Sequence, residues 1–191
     1  SESKKSSMYV IGHELFNKSL TLDIENRLMQ YLLSVENISR VHNSRTNQQN
    51  EYYTSEMLDE IFSEIWQSLN KKNKSLFPIE SIIKDSAIFK ASPFHKLTQE
   101  QINAKEEILT KIKESILSNE DGQLIIVEGE AGSGKTVLMS TLLYELGKYN
   151  LDLDENLDIH LLVNHNEHVS IYSQIASKLG IANKKNKIVQ K

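Results

Sequence analysis

Apolar residues recur along this chain at spacings that divide it into elements. The clearest case is 55–69. There Met57, Leu58, Ile61, Phe62, Ile65, Trp66 and Leu69 alternate steps of one and three, which predicts an amphipathic helix. Ser19 or Thr21 can cap an earlier helix running to about Val35, with Leu22, Leu28, Met29, Leu32 and Val35 on one face. A long helix is predicted from Thr98 to about Leu117, with Ile102, Ile108, Leu109, Ile112 and Ile116 inward. Short apolar runs at 8–11, 38–41, 124–127 and 159–163 predict strands. After the third run, Val137, Leu138, Leu142, Leu143 and Leu146 return to helical spacing, and Gly147 is expected to end that helix. A last helix is predicted over 169–179, stopped by Gly180.

Between these elements lie polar stretches. The segment 43–50 holds no apolar residue and reads as a loop. The segment 78–94 reads as an irregular linker with one apolar turn at Ile82 and Ile83, ended by Ser92-Pro93. A turn is expected at 119–122 and an acidic connector over 151–157. The stretch 181–191, with Lys184, Lys185, Lys187 and Lys191, has no clear pattern.

The predicted fold class is α/β. A small α+β segment (1–75) and a linker (76–96) precede a truncated parallel-sheet domain of the P-loop NTPase kind (97–191). Its order is β-α-β-α. Two parallel strands alone cannot cover their faces or satisfy their edges. The domain is therefore expected to be a piece of a longer protein, or to borrow strands by self-association or from a partner chain.

The run Leu124-Ile125-Ile126-Val127 leads into Glu128 and then Gly129-Glu130-Ala131-Gly132-Ser133-Gly134-Lys135-Thr136. Gly129, Gly134, Lys135 and Thr136 satisfy the pattern G-x-x-x-x-G-K-[ST]. Glycines let such a loop wrap closely, and its N–H groups converge on an anion at the positive end of the following helix. All eight residues are candidate nucleotide contacts. Lys135 is expected to reach the β- and γ-phosphates of ATP and Thr136 to hold Mg²⁺, and these two are the candidate catalytic residues. The competing reading is a Gly-Lys turn with no ligand.

Composition narrows the partners. The chain has 191 residues, 39% hydrophobic and 25% charged, with a net charge of −4. Any nucleic-acid site must therefore be a local patch. Without cysteine there is no disulfide or thiolate metal site. No apolar run approaches the ~18 residues of a membrane span, and 1–7 lacks a signal-peptide core. These features are expected of a cytoplasmic protein.

Two further clusters carry chemistry. Thr98-x-x-Gln101 is a capping box. The Gln101 amide also has the donor and acceptor needed to pair with adenine. Asn164 and His165 follow the 159–163 run, at the carboxyl end of a predicted parallel strand, where α/β proteins bind ligands. His165 and His168 lack H-E-x-x-H spacing and a third ligand beyond Glu167, which weakens a zinc reading.

From about Phe94 to Lys191, these residues resemble the start of the Schlafen group 3-like DNA/RNA helicase domain. The likeness is carried by Leu97-Thr98-x-x-Gln101, Val127 to Leu138 and Leu162-Val163-Asn164-His165. It implies that Gln101 reads adenine and that Asn164 and His165 contact single-stranded DNA or RNA. The first half resembles the distal part of a GIY-YIG endonuclease domain through Tyr9-Val10-Ile11-Gly12, Phe16 to Glu25, Asn43 to Gln49 and Tyr52-Tyr53. That likeness implies a metal-binding role for Glu25. The tyrosine-bearing strands and the arginine helix that mark the family are not in this sequence, nor are a Walker B acidic pair or any arginine after Arg45. The expected function is ATP binding by a helicase-like, nucleic-acid-processing module. The alternatives are a non-catalytic interaction module completed by a partner chain, and a P-loop ATPase of signalling or AAA-like type.

Overall fold

A computed structural model describes residues 6–42, 52–118, 121–152, 157–182 and 189–190. The predicted loop at 43–50, most of the acidic connector, and Lys184, Lys185, Lys187 and Lys191 lie outside these described residues. Seven helices are described: α1 (Lys18–Ser34), α2 (Leu58–Lys72), α3 (Glu80–Asp85), α4 (Ala87–Lys90), α5 (Gln99–Ser118), α6 (Lys135–Asp152) and α7 (Asn166–Lys178). Two short strands, β1 (Leu161–Leu162) and β2 (Val189–Gln190), pair in parallel with α7 as the crossover, Leu161 opposite Val189 and Leu162 opposite Gln190. The molecule is mixed α/β but mostly helical.

The long helices lie where the periodicity placed them, with corrected ends, but α1 buries Leu20, Ile24, Met29, Tyr31 and Leu33, while Leu22, Leu28 and Leu32 of the expected face are only partly buried. Asn17, and not Ser19 or Thr21, caps α1: its side-chain oxygen accepts from the Leu20 N–H at 3.0 Å. Thr21 instead donates its hydroxyl back to the Asn17 carbonyl. α2 is preceded by a 3-10 turn at Ser55–Met57, so helical geometry starts three residues later than the pattern suggested. It buries Ile61, Phe62, Ile65, Trp66 and Leu69 as predicted. α6 does not stop at Gly147 but runs on to Asp152. The glycine is there for packing: a Cβ would lie 2.8 Å from the Ile181 Cβ.

The segment 78–94 is not an irregular linker. It forms α3 and α4, and Ile83, Ala91, Ser92 and Phe94 are buried. Ser86 caps α4 through the Phe89 N–H, and the Trp66 indole donates to the Pro78 carbonyl at 2.8 Å. Glu80 joins three helices, accepting from Tyr31 at 2.7 Å and Ser63 at 2.8 Å and pairing with Lys84 at 2.8 Å. Burial pushes the Glu80 carboxyl up, but these hydrogen bonds outweigh it and hold the group below its ordinary value.

Three of the four predicted strands are absent as strands. At 8–11 the period of two survives, with Tyr9 and Ile11 against the core and Met8 and Val10 exposed, but among the described residues no neighbour supplies a ladder. At 38–41 the chain is tied by the Val41 N–H to the Lys178 carbonyl, a single bond in place of a ladder. At 124–127 the run makes no ladder with any described residue either, and Leu124 and Ile126 are 81% and 73% exposed. Apolar β-branched sequence creates a strand only where a second strand meets its N–H and C=O groups. Conversely, the patternless C-terminal stretch supplies β2. The described residues thus form only a two-stranded parallel sheet, which does not confirm a P-loop parallel-sheet domain.

α1 serves two cores. Leu20, Ile24 and Tyr31 pack with α2, Phe77 and Ile83, while Met29 and Leu33 pack with Phe94, Leu143, Tyr144, Tyr172 and Ile175. A third cluster joins Ile108 of α5 to Leu138 and Leu142 of α6.

Candidate functional site

The glycine loop is entered by chain without regular secondary structure and turns at 131–134 before α6 begins at Lys135. Gly132 and Gly134 take φ of 83° and 81°, conformations that strain residues with a Cβ. At Gly129 a Cβ would come within 2.6 Å of the Ser133 hydroxyl, a rotatable group, so closeness there is a weaker constraint. The turn is closed by the Ser133 N–H on the Glu130 carbonyl at 3.2 Å.

Lys135 folds back over this turn. Its Nζ donates to the Gly129 carbonyl at 2.6 Å and to the Glu130 carbonyl at 2.7 Å. It has no acidic partner among the described residues, so its charge faces only peptide dipoles and solvent. A phosphate group brought to the loop would find this ammonium and the free N–H end of α6 on one side. Thr136 is exposed on the first turn of α6, and its carbonyl accepts from the Tyr172 hydroxyl of α7 at 3.3 Å.

Gln101 makes both bonds expected of a capping box. The Thr98 N–H donates to Gln101 Oε1 at 2.9 Å, and the Gln101 N–H donates to the Thr98 hydroxyl at 3.3 Å. Its Nε2 then reaches the loop and donates to the Ser133 carbonyl at 2.7 Å. A Cβ on Gly134 would collide with this amide. Gln101, Ala104, Val127, Gly134, Lys135 and Leu138 contribute to a cleft of about 360 Å³ between α5 and the loop. That size is within the range for small-ligand sites. The loop and the α5 amide are thus brought together.

The other predicted residues are not gathered into this cleft. Asn164 and His165 follow β1, and His165 stands just before α7 without a side-chain cap bond. The His165 and His168 rings lie 5.8 Å apart, edge to face. Glu25 is exposed on α1. Among the described residues no group of three His, Cys, Asp or Glu side chains is placed to hold a metal.

Tyr172 and Lys178 escaped sequence reasoning. Burial raises the Tyr172 phenol, keeping it a donor toward Thr136. Lys178 is buried and donates to the Leu33 and Val35 carbonyls at 2.9 and 2.8 Å, at the end of α1. Its burial lowers the ammonium from its ordinary value, partly opposed by Glu36. Their aromatic and basic types, repeated elsewhere in the chain, gave no local signal of these roles. Among the described residues no helix is long and apolar enough to cross a membrane.

Searches of curated proteins and of solved structures returned no match. A family model described as Schlafen group 3, DNA/RNA helicase domain, matches residues 122–191. The match starts just upstream of the 124–127 run and takes in the glycine loop, α6, β1 and α7, so this part of the chain is similar to a helicase-like domain.

Proposed function

We propose that this chain binds Mg·ATP at 129–136 and is the nucleotide-binding part of a helicase-like, nucleic-acid-processing protein. The observation that carries the reading is the meeting of three groups on one turn: the Lys135 ammonium, the start of α6, and the Gln101 amide. The match of 122–191 to a DNA/RNA helicase domain supports the nucleic-acid side. In this reading Lys135 holds the β- and γ-phosphates, Thr136 offers its hydroxyl to Mg²⁺, and Gln101 faces the base. Asn164 and His165 are the proposed contacts to a single strand. The N-terminal likeness to a GIY-YIG endonuclease remains part of the proposal without a cleavage role, since Glu25 is an exposed carboxylate outside any three-ligand group among the described residues.

The test is calorimetric titration with Mg·ATP. Lys135→Ala removes a charged donor worth about 1.5–3 kcal/mol, which is about ten- to a hundred-fold in Kd. Far-ultraviolet dichroism should be unchanged, because Lys135 bonds only to its own loop. Equal affinity of the two proteins would remove the reading.

A second reading rests on the 124–127 run. Its exposed Leu124 and Ile126 and the lack of a ladder among the described residues support an interaction module whose sheet is completed by another chain. Sedimentation of the chain alone, as monomer or dimer, bears directly on whether a second copy fills that role.

A further inference from the structure

Thr136 is the second residue of α6, and its side chain is exposed. How well its hydroxyl can meet a metal ion depends on what holds the first turn of that helix. On the loop side, Gln101 holds the Ser133 carbonyl at 2.7 Å, and Lys135 bonds back to the Gly129 and Glu130 carbonyls. These bonds fix the turn before the helix. Further along, two hydroxyls fasten α6 to the strap after α4. Ser140 donates to the Ala91 carbonyl at 2.6 Å and Thr141 to the Pro93 carbonyl at 3.3 Å. They act a turn beyond Thr136.

Between these two supports, the tie to the first turn comes from α7. The Tyr172 hydroxyl donates to the Thr136 carbonyl at 3.3 Å, across 36 positions of sequence. Within α6 that carbonyl is already the usual acceptor for the N–H four residues on. A carbonyl oxygen has a second lone pair, and the phenol takes it. The bond therefore does not complete the helix; it anchors the helix from outside.

The anchor is stiff. Tyr172 is 5% exposed and belongs to the core cluster with Leu143, Leu161 and Ile175. A tyrosine has only two side-chain torsions, so a ring held in the core fixes its hydroxyl. The far end of α7 is clamped in turn, because Lys178 donates to the Leu33 and Val35 carbonyls at 2.9 and 2.8 Å. A run of fixed contacts thus leads from α1 through α7 to Thr136. Such stiffness matters more for a metal than for a phosphate. Magnesium demands near-ideal octahedral geometry at about 2.0–2.1 Å, whereas a phosphate is held by several N–H groups and an ammonium at once.

We propose that Tyr172 is a positioning residue for magnesium: by holding the Thr136 carbonyl it fixes the first turn of α6 and so sets where the Thr136 hydroxyl meets the ion. The inference rests on the reading of 129–136 as a Mg·ATP site.

The experiment is a double-mutant cycle on the full chain, titrated calorimetrically with Mg·ATP. Tyr172→Phe keeps the ring in the core and removes only the hydroxyl. It is expected to weaken Mg·ATP by about two- to ten-fold, the worth of one neutral hydrogen bond. Thr136→Ala keeps the carbonyl and loses the hydroxyl, and in that background Tyr172→Phe should weaken Mg·ATP no further. With EDTA in place of Mg²⁺, Tyr172→Phe should not alter the response to ATP. A phenol with a structural role alone would cost the same affinity with and without the Thr136 hydroxyl, and with and without metal. Either of those results overturns the proposal, as does an unchanged Mg·ATP affinity in Tyr172→Phe. Absence of Mg·ATP binding by the unsubstituted chain would instead remove the nucleotide reading itself, and this inference with it.

Discussion

The side-chain amide of Gln101 donates to the Ser133 carbonyl at 2.7 Å, tying the start of α5 to the glycine loop across 32 positions of sequence. The same amide's oxygen already accepts the Thr98 N–H. One N–H and one lone pair remain for a base. Gln101→Ala should therefore weaken Mg·ATP and Mg·GTP together, through the lost brace. It should weaken ATP more, shrinking the preference by about 1–3 kcal/mol, the worth of a bidentate base contact. Parallel titrations measure both effects. An equal fall for the two nucleotides would leave Gln101 as a brace with no base reading.

Gly147 should resist replacement by alanine. In an exposed helix interior the change stabilises by about 1 kcal/mol. Here the new Cβ would sit 2.8 Å from the Ile181 Cβ, an atom close to its own backbone and unable to swing away. Overpacking costs about 1–3 kcal/mol, so Gly147→Ala is expected to lower the urea midpoint. A raised midpoint would mean that α6 and the Ile181 segment are not pressed together.

Lys178→Met keeps the apolar stem and removes the ammonium. The Leu33 and Val35 carbonyls at the end of α1 then lose their charged donor. Loss of a hydrogen bond from a charged group costs about 1.5–3 kcal/mol. Chemical denaturation reads this directly, and a change below about 0.5 kcal/mol, the level of an ordinary surface substitution, would deny that Lys178 joins α7 to α1.

His95 should make stability depend on pH. Burial holds its imidazole below the ordinary value of 6.5, and Arg27 adds to this against the raising effect of the Phe89 carbonyl. The folded chain thus binds this proton less readily than the unfolded chain. The stabilisation is complete above about pH 6.5 and is lost as pH falls through the depressed folded value. The urea midpoint should drop between about pH 7.5 and pH 5, and His95→Gln should flatten that slope. An unaltered slope in the variant would place the pH dependence elsewhere.

Local signals in the sequence determined the five longer helices and the glycine loop, but not α3 and α4, which lie in a stretch read as a linker. The 1–3 spacing of Ile61, Phe62, Ile65, Trp66 and Leu69 marks the buried face of α2, because a helix closes its own hydrogen bonds within four residues. The turn before Lys135 was legible for the same reason, since its geometry depends on glycines within one octapeptide. The tertiary structure alone decided what depends on distant partners. The 124–127 run carries strand sequence but has no ladder among the described residues, whereas Val189 and Gln190 carry no pattern and pair with Leu161 and Leu162. Gly147 reads locally as a helix stop, yet it is a helix interior position kept small by Ile181. Lys178 reaches the Leu33 carbonyl across 145 positions. No spacing rule spans such separations, because side-chain periodicity reports which face a residue takes, and only the assembled chain determines what that face meets.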